Sequence, residues 1–141
     1  MGYQVTGTVE APAEAVWELF TDIERWPALT ASIREARRTD SGPLRVGSEA
    51  VIKQPGLPRA RWRVTELEEG RSFSWETKVG LVTAIGGHQV TASGPDAVIT
   101  LTLTQHGPLA GLVRALTGAL TRKNLALELD GFRRGAASAP A

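Results

Sequence analysis

The chain has 141 residues, of which 42% are hydrophobic and 22% are charged, and its formal net charge is +1. These values are typical of one globular domain, and they exclude the strongly basic composition of a dedicated nucleic-acid-binding protein. The lack of cysteine excludes disulfides, thiolate nucleophiles and cysteine-based metal sites. No stretch has the pattern of a signal peptide or a membrane span, so we expect a cytoplasmic protein without membrane insertion.

The N-terminal segment predicts a strand followed by two short helices. Residues 3–10 alternate between apolar and polar side chains, the pattern of a strand with one buried face. In residues 12–23 the apolar side chains recur instead at helical spacing. A second, very short helix is expected to end at Trp26, because Pro27 disfavours helical geometry in the residue before it.

The middle of the chain, residues 32–106, predicts an antiparallel meander of about six strands. Its apolar runs are separated by the turn signals DSGP, QPGLP, EEG and SGPD. Gly86 and Gly87 interrupt one strand and predict a bulge or bend just before His88.

After His106 the period changes again and predicts a helix of about twenty residues that starts near Pro108. Its apolar stripe consists of Leu109, Leu112, Val113, Leu116, Leu120 and Leu127. The last residues, 135–141, are expected to be a disordered tail, which leaves a single domain over residues 1–134. Together the elements predict an α+β fold, with a curved antiparallel sheet of about seven strands around the last helix.

Four stretches make the chain resemble the polyketide cyclase/dehydrase-like branch of the SRPBCC (START/Bet v 1-like) superfamily. They are VEAPAEAVWELFTDIERWPAL, RVTELEEGRSFSWET, GGHQV and GPLAGLVRALTGAL. The resemblance implies a helix-grip fold, in which a hydrophobic cavity lies between the sheet and the last helix. Residues 56–58 (GLP) and 86–90 (GGHQV) are also similar to the gate and latch loops of the plant abscisic-acid receptors of this superfamily. This likeness predicts a gate loop formed by Gln54, Pro55, Gly56, Leu57 and Pro58.

The predicted cavity wall combines the gate, the inward strand faces and one side of the last helix. It consists of Trp26, Leu57, Trp62, Trp75, His88, Val90, Leu112 and Leu116. His88 shares its strand face with Val90 and is the one candidate for polar chemistry, either as a ligand contact or as a general acid or base. The alternative interpretation is a core histidine satisfied by the backbone. The two histidines have no carboxylate at ligand spacing, so we expect no metal site and no cofactor.

Three functional hypotheses remain at this point. The first is a protein, monomeric or homodimeric, that binds a small hydrophobic molecule of polyketide-like, aromatic or lipid-like character and does not bind nucleic acid. The second is a polyketide cyclase or dehydratase that uses His88 as general acid or base. The third is a protein-interaction module without a ligand, which would have an exposed apolar patch and a filled interior.

Overall fold

Seven strands and three α-helices follow one another along residues 2–138, the part of the chain that the computed structural model describes. The strands are β1 (Gly2–Val9), β2 (Glu35–Arg38), β3 (Glu49–Lys53), β4 (Ala60–Glu68), β5 (Ser72–Val79), β6 (Val82–Ser93) and β7 (Asp96–His106). The helices are α1 (Ala13–Thr21), α2 (Trp26–Leu29) and α3 (Ala110–Ala137), and a short 3₁₀-helix, Ile23–Arg25, precedes α2.

All seven strands form one antiparallel sheet in the order β1-β7-β6-β5-β4-β3-β2. Consecutive strands are neighbours except at one edge, where β1 pairs with β7 from Gly2↔Thr104 to Val9↔Ala97. A bulge between Val64 and Glu66 of β4 adds to the bend of the sheet. Helix α3 packs against β1 and β7 and crosses the concave face. The predicted α+β helix-grip architecture is confirmed.

Three local expectations differ from the structure. Helix α3 continues to Ala137 and buries Ala136, so residues 135–138 are not a tail, and residues 139–141 lie outside the described part. Pro27 lies in the first turn of α2 instead of ending a helix, because its missing N–H has no intrahelical partner to lose there. Gly86 and Gly87 pair regularly with β5 and β7, without a bulge.

The densest packing lies where α1, α2 and the C-terminal half of α3 meet the sheet. Phe132 of α3 contacts Phe20 and Trp26 edge-on, with ring centroids 5.0 and 5.5 Å apart. Edge-to-face contacts of this kind stabilise a core beyond the area they bury. The N-terminal half of α3 lies beyond this cluster, and the space between it and the sheet is not filled. Within residues 2–138, no helix combines the length and apolar composition needed to cross a bilayer.

Candidate functional site

A cavity of about 240 Å³ lies between the concave face of the sheet and α3. It is larger than the roughly 150 Å³ hole that accepts benzene in an engineered protein core. The cavity persists because the face of α3 that looks into it carries short or polar side chains where a filled core would have leucines. They are Val113, Thr117, Thr121, Asn124 and Glu128, and Leu125 is the one leucine on this face.

Two indoles form one wall of the cavity. Trp62 and Trp75 lie with ring centroids 5.6 Å apart and planes inclined by 32°. Gly86 lies opposite Trp75 in the sheet, and a Cβ there would come within 3.2 Å of the Trp75 Nε1 and 3.6 Å of the Trp62 ring. The glycine in the middle of β6 therefore makes room for both indoles, which explains why no bulge is needed.

His88 is surrounded by aromatic rings at the deep end of the cavity. Its ring stacks on Phe73 with a centroid distance of 4.2 Å and an angle of 6°. Phe20, Trp26 and Trp75 complete the enclosure at 5.4–5.7 Å. Only 7% of His88 is exposed, yet its ring borders the cavity.

The contacts of His88 define its protonation. Burial lowers its pKa from 6.5 to about 4, and the hydrogen bond to Phe73 offsets only part of this effect, so the imidazole is neutral at pH 7. Its Nδ1 lies 3.4 Å from the Phe73 carbonyl oxygen, which can only accept, so Nδ1 donates. The Nε2 atom of this tautomer is an acceptor. His88 can orient a donor group at neutral pH, whereas it cannot supply a proton as an imidazolium.

Glu128 is the second titratable group of the cavity, and the sequence analysis did not single it out. It projects from α3, half-buried against the cavity. Burial raises its pKa from 4.5 to about 7, and neither a hydrogen bond nor an opposite charge offsets this effect. The carboxyl is therefore poised between its neutral and ionised forms at physiological pH. The sequence does contain a signal for this position, because Glu128 lies at helical spacing from Thr117, Thr121 and Asn124 and so shares a polar helix face with them.

Further polar groups lie along the same wall. Gln105 of β7 borders the cavity, and its Oε1 is buried without a hydrogen-bond partner. Asn124 is only 6% exposed and lies one turn before Glu128 on the same face of α3. The cavity is therefore mainly apolar, with a few polar atoms at defined points. Among residues 2–138, no group of three metal-ligating side chains comes together.

The predicted gate loop lies at the cavity mouth. Gln54, Leu57 and Pro58 border the cavity, and the Leu57 N–H donates to the Gln54 carbonyl oxygen at 3.2 Å. Gly56 has a φ of 78°, which suits the third position of a tight turn that follows a proline. The Lys53 ammonium group donates to the carbonyl oxygens of Gln54 and Leu57 and so holds the turn in place.

The structure brings five of the eight predicted lining residues together on the cavity wall, namely Trp26, Leu57, Trp62, Trp75 and His88. The other three lie elsewhere. Val90 is buried in the core beyond His88, at 2% exposure. Leu112 and Leu116 are 57% and 76% exposed, because α3 turns the opposite face toward the sheet.

Comparison with known proteins places this geometry in a family. Residues 3–137 match the family described as polyketide cyclase / dehydrase and lipid transport. No curated protein matches the sequence. Three solved structures share the fold. The chain superposes on ginseng major latex-like protein 151 from Panax ginseng with a TM-score of 0.78 at 17% identity, covering 96% of this chain and 97% of that one.

A START superfamily protein from Mycobacterium smegmatis gives a TM-score of 0.70 at 19% identity, with 94% and 97% of the two chains covered. Truncated norcoclaurine synthase from Thalictrum flavum gives a TM-score of 0.77 at 15% identity, with 99% of this chain and 95% of that one covered. At these identities the likeness shows the fold alone. The sequence match over residues 3–137 shows more: the chain belongs to the polyketide cyclase / dehydrase and lipid transport family of the SRPBCC superfamily.

Proposed function

We propose that the chain binds one small hydrophobic molecule in the cavity between α3 and the sheet. The observation that carries the proposal is a mostly apolar cavity of about 240 Å³ with a few polar atoms at fixed points. This combination is typical of small-molecule sites. The family description, which includes lipid transport, supports the same function. The proposal includes the cytoplasmic location and the monomeric or homodimeric state expected above.

The lining residues have separate roles in this proposal. Trp62 and Trp75 stack on a flat apolar ligand, and Trp26 closes the deep end beside His88. His88 Nε2 accepts a hydrogen bond from a ligand hydroxyl or N–H group. The loop 54–58 opens and closes the mouth.

A matched pair of substitutions on α3 tests the proposal. Thr117 faces the cavity, whereas the neighbouring Leu116 is 76% exposed. We expect Thr117→Trp to fill the cavity and abolish binding of naphthalene-2-methanol, a neutral two-ring probe, in calorimetric titration. Leu116→Trp adds an indole on the solvent side and should leave the affinity within about two-fold of wild type, because surface substitutions have small effects.

Equal affinity of wild type and Thr117→Trp would place the probe outside the cavity. Absence of binding to wild type would contradict the proposal. Circular dichroism of both variants verifies that the fold is retained.

Acid–base catalysis in the same cavity is a second candidate function, and Glu128 is the observation that favours it. Its pKa of about 7 matches the operating pH of a general acid or base, whereas His88 stays neutral. Glu128 therefore replaces His88 as the candidate proton-transfer group.

The base-catalysed elimination of 5-nitrobenzisoxazole tests this candidate. The carboxylate takes the ring C–H proton and the N–O bond breaks to give a cyanophenolate. We expect turnover that rises with pH through about 7. It should fall by about 10²-fold or more in Glu128→Gln, in line with the usual contribution of a general base. An unchanged rate in this variant would rule out Glu128 as the base.

A further inference from the structure

The cavity wall can carry negative charge but has no positively charged side chain. Among the residues that line the cavity, Glu128 is the only carboxylate, and none is lysine or arginine. An anionic ligand such as a fatty acid would bring its charge into an apolar space with no cation to pair with, which is strongly unfavourable. The wall therefore selects against hydrophobic acids.

Three acceptors of the wall have no hydrogen-bond partner in the protein. The Glu128 carboxyl has neither a hydrogen bond nor an opposite charge near it, and Gln105 Oε1 is buried without a partner. His88 Nδ1 donates to Phe73, so its Nε2 adds a third acceptor. Because unpaired buried acceptors are unfavourable, a ligand that fits this wall brings donors.

Packing places Glu128 and His88 at the same end of the cavity. Glu128 lies one helical turn before Phe132, which contacts both Phe20 and Trp26. The rings of Phe20 and Trp26 in turn contact His88, at 5.7 and 5.4 Å. Gln105 pairs with Ala84, which precedes His88 by four residues on β6. Gln105 therefore lies roughly 13 Å from His88 along the sheet, toward the mouth. Glu128 and His88 thus both line the cavity near the cluster of Phe20, Trp26 and Phe132.

We propose that the cavity binds a hydrophobic amine, whose ammonium group pairs with the Glu128 carboxylate and donates a second hydrogen bond to His88 Nε2. The inference rests on the proposed binding function and narrows its ligand class. The aromatic body of the ligand lies against Trp62 and Trp75, and the indole faces add cation–π attraction for the positive end. The ammonium group of the ligand thus supplies the opposite charge that the Glu128 carboxylate lacks in the free protein.

The groups that could compete with this pairing are few. His88 is the only other titratable side chain on the cavity wall, and it is neutral above about pH 4. On α3 itself the neighbours one turn away, Asn124 and Phe132, do not titrate. Most charged residues of α1 and α3 near the site are exposed, namely Glu14, Glu18, Arg122, Lys123, Asp130, Arg133 and Arg134. Arg114 of α3 is half-buried and its Nε has no hydrogen-bond partner, but its guanidinium lies over the Tyr3 ring, 5.8 Å from the centroid, and it does not line the cavity.

Three probes with the same naphthalene body test the inference: naphthalene-2-methylamine, naphthalene-2-methanol and 2-naphthoate. At pH 8 we expect wild type to bind the amine about ten-fold or more tightly than the alcohol, and the acid at least about ten-fold more weakly, each factor corresponding to about 1.4 kcal/mol. At pH 6, below the Glu128 pKa of about 7, the amine must displace a proton from the carboxyl and its advantage shrinks. Calorimetry in buffers of different ionisation enthalpy should therefore detect proton release in wild type.

Glu128→Gln is the matched variant, because it keeps the shape and polarity and removes the charge. It should lose both the preference for the amine and the proton release. Equal amine and alcohol affinities in wild type at pH 8, or no proton release on amine binding at pH 6, would each overturn the inference while leaving the binding function intact. Failure of all three probes to bind wild type would overturn both. The proton-release measurement needs only wild type, so it decides the inference even if the variant does not fold.

Discussion

Two titratable side chains, His88 and Glu128, border the cavity, and burial shifts the pKa of each toward its neutral form. For the histidine, burial lowers the pKa from 6.5 to about 4. For the glutamate, burial raises it from 4.5 to about 7. The same physical cause, loss of water around a charge, therefore acts in opposite directions on a base and on an acid.

These shifts predict opposite pH dependences of stability. Between about pH 4.5 and pH 7 the folded state holds a proton on Glu128 that the unfolded chain has released, so this group's contribution to stability falls as pH rises. Between about pH 6.5 and pH 4, His88 is protonated in the unfolded chain but remains neutral in the folded chain. The contribution of His88 to stability therefore falls as the pH drops. In wild type the two effects nearly cancel where these ranges overlap.

Single variants should separate the two contributions. Glu128→Gln leaves His88, and its free energy of unfolding should drop on acidification from pH 6.5 to pH 4. His88→Gln leaves Glu128, and its stability should drop as the pH rises from 4.5 to 7. Each change is at most about 3 kcal/mol, at 1.36 kcal/mol per pKa unit. Urea unfolding across this range measures both, and profiles parallel to that of wild type would contradict the burial argument.

Among the secondary-structure elements, α3 has two different roles along its length: it packs on α2 and it covers the cavity. Its C-terminal half packs tightly on α2, where Gly131 lies so close that a Cβ would come within 2.5 Å of the Leu29 carbonyl oxygen. Residues 113–128 form the cavity roof, and a Cβ at Gly111, in the first turn of the helix, would meet nothing within 4 Å. The two glycines on one helix therefore serve different purposes.

Alanine substitutions at these glycines should have opposite effects. Gly131→Ala forces α2 and α3 apart and should destabilise the fold by about 1–3 kcal/mol, the usual effect of overpacking. Gly111→Ala only raises helix propensity and should stabilise by up to about 1 kcal/mol. Thermal unfolding of the two variants gives the comparison. A neutral Gly131→Ala would show that the α2–α3 contact is not tight.

Across the whole molecule, the sheet is completed by strands from the two ends of its sequence. β1 precedes every helix, yet it pairs with β7, the last strand, so residues 2–9 meet residues 97–104. The pairing draws α1 and α2 across one end of the sheet and leaves α3 to cover the concave face. The helices pack fully only at the α1–α2 end, and the cavity lies under the other half of α3. The cavity is thus a consequence of how the fold closes.

The order and type of the elements followed from local sequence. Alternation in residues 3–10 and 32–106, helical spacing after Pro12 and after His106, and turn signals between the strands each depend on neighbours in the chain. Strand alternation also predicts Trp62, Trp75 and His88 on the cavity wall, since a strand has only two faces. For the same reason alternation predicts that His88 and Val90 lie on the inward face of β6. Both are buried, although only His88 borders the cavity.

The orientation of α3 was decided by tertiary structure alone. Its leucine-rich stripe, with Leu112 and Leu116, predicts the buried face, because apolar side chains are normally buried. Over the cavity the helix departs from this rule: its inward face carries Thr117, Thr121 and Glu128, and Leu112 and Leu116 are exposed. The shifted pKa values of His88 and Glu128 depend on the same arrangement, because only the folded chain removes water from both groups.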